Sequence, residues 1–219
     1  MNMPIQFWEP GRRRAIAALL ACLITPAACS RAQNSGPERD RWQHPEQVLD
    51  ALGVKAGSVA ADVGCGKGYF TLKLAERVGP TGKVYAEDIR DDGLANVRSE
   101  ADKGGFKQVQ TVLGIESDPR LPVASLDVVL AMDTYHEWVQ NDAMLDRVYA
   151  ALKPGGLFGL IDGATEPGKS RDDYHSQHRM PESMEREDVL RHNFQFLREE
   201  PGFTRPSDGK TYYFLIFQK

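Results

Sequence analysis

Val59-Ala60-Ala61-Asp62-Val63-Gly64-Cys65-Gly66-Lys67-Gly68-Tyr69-Phe70 is the stretch whose reading decides the fold of this chain. A short apolar run ends in an acid, turns through three glycines, and opens at once into the helix-periodic segment 69–75. Strand, glycine turn and helix in that order form the unit that places a nucleotide-like ligand at the carboxyl end of a parallel sheet. The glycines allow positive φ and close approach of a ligand to the backbone. Asp62, at the strand end, can accept hydrogen bonds from an ammonium or a ribose.

Working outward, the pattern repeats. A short helix is expected over 45–52, strand one over 58–63, and a helix to about 78. The turn Gly79-Pro80-Thr81-Gly82 leads to a second strand, 83–88, that again ends in acid. A helix over 91–103, a third strand over 107–113 and a fourth over 126–133 follow. The fourth is continuously apolar from Val128 to Met132, between Asp127 and Asp133, as a strand buried on both faces requires. Helical spacing over 141–152, with Asn141 as its cap, precedes the Pro154-Gly155-Gly156 turn and a fifth strand over 157–162. A mixed segment follows over 163–181, of which 168–181 reads as a lid or recognition loop. A helix over 182–192 and two closing strands over 195–199 and 211–217 complete the chain. Alternating strands and helices give a doubly wound, mostly parallel α/β sheet of seven strands, ending in an antiparallel hairpin.

Composition fits one soluble domain: 219 residues, 41% hydrophobic, 26% charged. A net charge of −4 argues against a nucleic-acid partner, which leaves a basic footprint. Residues 1–28 are of another kind. Arg12-Arg13-Arg14 precede an apolar stretch, 15–28, shorter than the roughly 20 residues of a membrane span and suited to an export signal. Small residues before Cys29 give it a lipoprotein character, with membrane attachment through a lipidated Cys29. Cys22 and simple cleavage after Ala32 stand as alternatives, as does a misassigned start. Residues 29–41 read as a polar tether, and 42–219 as the domain. Periplasmic or outer-membrane placement follows if the signal is real, cytoplasmic placement otherwise. Cys65 would be left without a disulfide partner.

The chain resembles the class I S-adenosylmethionine-dependent methyltransferases. Three segments carry the likeness: Asp62-Val63-Gly64-Cys65-Gly66-Lys67-Gly68, Val84-Tyr85-Ala86-Glu87-Asp88-Ile89, and Leu152-Lys153-Pro154-Gly155-Gly156-Leu157. A dinucleotide fingerprint would need glycine where Tyr69 stands. More closely, Arg41-Trp42-Gln43-His44-Pro45, Asp118-Pro119-Arg120-Leu121-Pro122 and Asp133-Thr134-Tyr135-His136-Glu137 resemble small exported, lipoprotein-like bacterial members. The resemblance implies a Rossmann-like fold and S-adenosylmethionine as cofactor. It places Asp62, Gly64, Cys65, Gly66 and Gly68 under the methionine and ribose. Asp88 and Ile89 then lie at the ribose, with strand alternation turning Glu87 away, and Glu116 and Asp133 complete the cofactor set.

The implied activity is methylation of an unidentified small molecule. His136 is the candidate base for a hydroxyl acceptor, since imidazole titrates near neutrality. A non-catalytic adenosylmethionine- or nucleotide-binding protein of the cell envelope is the alternative. No metal is expected. His175-Ser176-Gln177-His178 lacks an acid-rich helical pattern, and His136-Glu137 lacks a second histidine at metalloprotease spacing.

Overall fold

The computed structural model describes Met1 and residues 36–219. The expected signal, its Cys29 site and the first part of the tether lie outside these residues. No helix among the described residues is long and apolar enough to cross a membrane.

Seven strands form one sheet in the order β3-β2-β1-β4-β5-β7-β6. They are β1 (Val59–Val63), β2 (Lys83–Asp88), β3 (Val109–Leu113), β4 (Leu126–Met132), β5 (Leu152–Gly163), β6 (Gln195–Thr204) and β7 (Thr211–Gln218). The first five are parallel, and β7 enters antiparallel between β5 and β6. Helices α1 (Gly36–Gln43), α2 (Pro45–Ala51), α3 (Tyr69–Val78), α4 (Asp91–Gly104), α5 (Asn141–Ala151), α6 (Arg171–Gln177) and α7 (Glu182–Leu190) make the connections. The sheet buries both faces. Val63, Val129, Leu160 and Leu215 pack towards α5 and α7, while Ala60, Leu130, Ile161 and Ile216 pack towards α2 and α3. Two-sided burial is why β1 and β4 read as unbroken apolar runs.

Four expectations are corrected. Residues 36–41 of the tether are helical. Asp40 accepts hydrogen bonds from Tyr69 Oη and Lys73 Nζ, at 2.5 and 2.8 Å, and Trp42 stacks within 6 Å of Phe203 and Tyr212. Buried Trp42 supplies the apolar anchor that the polar composition of the segment concealed. Secondly, β5 begins at Leu152, because Leu152 pairs with Leu126 before the ladder shifts and resumes at Leu157 opposite Val128. The Pro154-Gly155-Gly156 turn is therefore an irregularity inside the strand. Thirdly, Gln140 occupies the cap of α5, and Asn141 instead turns its amide to Tyr135 Oη and Asp188. Finally, the segment 163–181 contains α6, started by a capping box in which Ser170 and Asp173 bond reciprocally.

Candidate functional site

The carboxyl ends of β1, β2, β4 and β5 each carry an acid: Asp62, Asp88, Asp133 and Asp162. They meet along one edge of the sheet but serve different partners. Asp88 ends β2 beside the glycine turn, where its carboxylate accepts from the N–H groups of Gly66 and Arg90, each at 2.9 Å. Asp62 is buried and accepts from the Thr71 hydroxyl at 2.7 Å, tying the turn to α3. Burial pushes its carboxyl up to about 6 against the opposing pull of the Thr71 bond and the charge of Arg39. Gly64 is required: with φ 69°, a Cβ there would come within 2.1 Å of Thr134 Oγ1.

A cavity of about 280 Å³ opens over this turn. Gly64, Gly66, Asp88, Ile89, Glu116 and Asp133 line it, all of them residues singled out from the sequence. Asp62, Cys65, Gly68 and His136 are not among its lining residues. Cys65 is buried, and burial with neighbouring carboxylates pushes its thiol up, which leaves it unreactive. Gly68 caps α3 with φ 87°, against Val97.

Glu87 was expected to point away, and it does leave Asp88's side of the strand, yet it still faces the cavity. Its Oε2 accepts from the Gly64 N–H at 3.4 Å, and its buried Oε1 has no partner among the described residues. Burial is the main cause that pushes this carboxyl up to about 8, with the charges of Asp88, Asp62 and Asp118 adding to it.

On the β4–β5 side, Asp133 takes a left-handed φ of 55° and accepts from Lys210 Nζ at 2.7 Å and Tyr212 Oη at 3.2 Å. His136 lies in a 3-10 turn, Tyr135–Glu137, with only 3% of its surface exposed. Its Nδ1 is 2.7 Å from Asp162, which also accepts from the backbone N–H groups of His136 and Gly163. Burial acts to lower the His136 pKa; the Asp162 hydrogen bond and charge, with Asp133, outweigh it and leave it raised. The imidazole Nε2 turns to His178 Nδ1 at 3.2 Å. Histidine 178, expected beside His175 if anywhere, thus meets His136 and Glu137 from across the chain. His175 Nδ1 is bonded instead to the His136 carbonyl, at 2.8 Å.

Sequence reasoning missed Glu87, Asp162, Lys210 and the approach of His178. A strand-end acid on β5, matching those on β1, β2 and β4, was the available signal for Asp162. His178, with Tyr174, His175 and Arg179, could be read as lining a pocket from the lid segment, but nothing local paired it with His136; Lys210 had no signal, because the hairpin turn brings it in.

A family profile described as "Methyltransferase domain" matches residues 55–202. The chain is 34% identical over 121 residues to nocamycin O-methyltransferase of Saccharothrix syringae, covering 55% of this chain and 43% of that protein. It is 29% identical over 117 residues to demethylmenaquinone methyltransferase of Geobacillus stearothermophilus, covering 53% and 49%. The chain spans about half the length of the curated relatives it matches. Its fold is similar to the crystal structure of a SAM dependent methyltransferase from Aquifex aeolicus, with TM-score 0.71, 23% identity, and coverage of 89% of this chain and 98% of that one.

Proposed function

This chain belongs to the family of methyltransferase domains, and from that membership we propose that it methylates a small-molecule acceptor with S-adenosylmethionine. One observation carries the reading: the cavity over Gly64 and Gly66 is walled by Asp88 on one side and Asp133 on the other. The cofactor fits the donors present. Asp88 offers a carboxylate to two ribose hydroxyls, and the orphaned Glu87 Oε1 is a buried acceptor beside it. Ile89 stands with Asp88 at the ribose, and Glu116 flanks the adenine end. Asp133 faces the methionine end, and Asp62, Cys65 and Gly68 hold the turn in shape from behind.

When bound, S-adenosylmethionine supplies a methyl carbon on a positively charged sulfur and departs as the neutral thioether. The chain's share is alignment: holding the acceptor atom in line with that carbon and sulfur lowers the barrier by positioning. A hydroxyl acceptor must also lose its proton, and that loss is assigned to His136, held by Asp162 next to the cavity-lining Glu137.

Calorimetry with S-adenosylhomocysteine tests the cofactor claim. Micromolar binding is expected, and Asp88→Ala should weaken it at least tenfold, about 1.4 kcal/mol. No heat at millimolar ligand would overturn the reading.

We also propose that residues 1–28 export the chain and that Cys29 is its lipid anchor, on the strength of Arg12-Arg13-Arg14 and the apolar run before Cys29. Cell fractionation with mass determination of the mature N-terminus checks this; a chain retaining Met1 in the cytosol would overturn it. Export favours one second reading, a cofactor-binding protein of the envelope that transfers no methyl group. Binding of S-adenosylhomocysteine without any transfer from labelled cofactor into envelope or small-molecule extracts would select it.

A further inference from the structure

His136, Glu137 and His178 bring three donor atoms together at the edge of the cavity, which Glu137 lines. His136 Nε2 lies 3.2 Å from His178 Nδ1, Glu137 Oε1 lies 3.6 Å from His178 Nδ1, and 3.9 Å separates it from His136 Nε2. The nearest point equidistant from the three lies in their plane, about 2.1 Å from each, the bond length of imidazole nitrogen and carboxylate oxygen to zinc, and leaves the positions above and below that plane open. We propose that these three residues hold a divalent first-row transition-metal ion at the rim of the cofactor cavity, with an oxygen of the methyl acceptor at its open position.

Each ligand is supported from behind. Asp162, fully buried, takes the Nδ1 proton of His136 at 2.7 Å, which fixes the tautomer and leaves the Nε2 lone pair outward. That carboxylate–histidine arrangement is the outer support usual behind metal-bound imidazole. His178 stands at the end of α6 in a left-handed conformation, φ 51°, with its carbonyl held by Lys210 Nζ at 2.7 Å. His175 anchors the His136 carbonyl. Glu137 lines the cavity itself, so an ion on its carboxylate borders the space where acceptor and cofactor meet.

Charge permits a cation here. The Lys210 ammonium is neutralised by Asp133, and the carboxylates of Glu137 and Asp162 remain to balance the ion. The neighbouring set Asp133, His136 and Asp162 is excluded as the site. Asp133 is taken by Lys210 and Tyr212, and Asp162 by two backbone N–H groups and the imidazole. Two imidazoles and one carboxylate suit zinc, cobalt or iron rather than magnesium or calcium, and three protein ligands leave a position for substrate. Coordination would acidify an acceptor hydroxyl, whose proton would pass to the solvent reached past exposed Glu137 and His178, so His136 would act in proton loss as a ligand and not as the base. The acceptor clause rests on the methyl-transfer reading; the ion does not.

The test is titration of the chelator-stripped full chain with Zn2+ by calorimetry and with Co2+ by its visible ligand-field bands. One ion per chain is expected, with His178→Ala and Glu137→Gln each weakening it at least tenfold. His178 is exposed, so its loss leaves the fold intact, as circular dichroism would verify. Asp162→Asn should weaken the ion about 10–100-fold. Absence of saturable binding at micromolar metal, or binding unchanged in His178→Ala, overturns the site. Asp88→Ala should lose S-adenosylhomocysteine while keeping the metal stoichiometry. Metal binding with no cofactor binding in the unaltered chain would overturn the methyl-transfer reading and leave the ion standing.

Discussion

The two halves of the sheet's carboxyl edge are built differently. At β1–β2 the site closes on itself over a short reach: the Gly66 N–H meets Asp88 22 positions away, inside one strand–helix–strand unit. At β4–β5 it is stitched from distant chain. His136 meets Asp162 within the β4–α5–β5 unit, across 26 positions, but Tyr135 meets Asp188 across 53 and Asp133 meets Lys210 across 77. The first half depends on backbone geometry and one local acid; the second depends on buried charges that late elements deliver. The cofactor half is therefore specified by a short motif, whereas the acceptor half exists only once α6, α7 and the hairpin have docked.

The largest expected effect breaks the second half. Asp188 on α7 is buried and gathers Tyr135 Oη, Arg171 and Arg191, with Asn141 at the margin. Removing it strands a tyrosine hydroxyl and the partly buried Arg171 together. Asp188→Ala should cost about 3–5 kcal/mol in denaturant unfolding. If the halves differ as described, amide exchange should rise first in α6, the 3-10 turn and α7, with β1–β2 protected. Uniform loss of protection would show the edge to be one cooperative unit.

That contrast also explains what the sequence disclosed. The parallel sheet, the glycine turn, Asp88 and the antiparallel hairpin were legible because each is encoded by neighbours: two-sided apolar runs, turn residues, and an acid at a strand end. Gly64, Gly66, Asp88, Ile89, Glu116 and Asp133 do share one cavity. Tyr135 was legible only as a polar residue after β4, and His136 only as a candidate base without its partners. Asp162 carried the signal of a strand-end acid on β5, but Asp188 and His178 depend on how α6 and α7 fold back, which no local period encodes. Glu87 was misjudged for a geometric reason: alternation turns it from Asp88, but at the end of a strand beneath an open turn both faces border the same cavity. The polar segment 36–41 hid its docking because one residue, Trp42, supplies the anchor.

A smaller effect probes the first half. Glu87 titrates near 4.5 when unfolded and at about 8 in the fold. Folding is thus relatively favoured below about pH 4.5, and that advantage is lost as pH rises towards 8, by up to about 1.4 kcal/mol per pH unit. Glu87→Gln should flatten the fall of thermal stability across this window while leaving the acid limb little changed. Parallel pH profiles in the variant and the unaltered chain would remove Glu87 as the buried charge of the cofactor half.

The smallest effect tests whether surface charge also clips the acceptor half. His192, just past α7, contacts Asp146 at 2.7 Å and Asp142 at 3.0 Å on α5. Burial acts to lower its pKa, and the two carboxylates outweigh burial and raise it. The sign therefore places its contribution fully below the ordinary 6.5 and removes it as pH climbs through the raised folded value. Both aspartates are largely exposed, which holds the effect to about 0.5–1 kcal/mol. His192→Gln should be destabilising by that amount at pH 6 and close to neutral at pH 9, with high salt shrinking the difference. An equal cost at both pH values would mean that His192 acts by packing alone. Buried Asp188 would then be the charge that ties α7 to the β4 end.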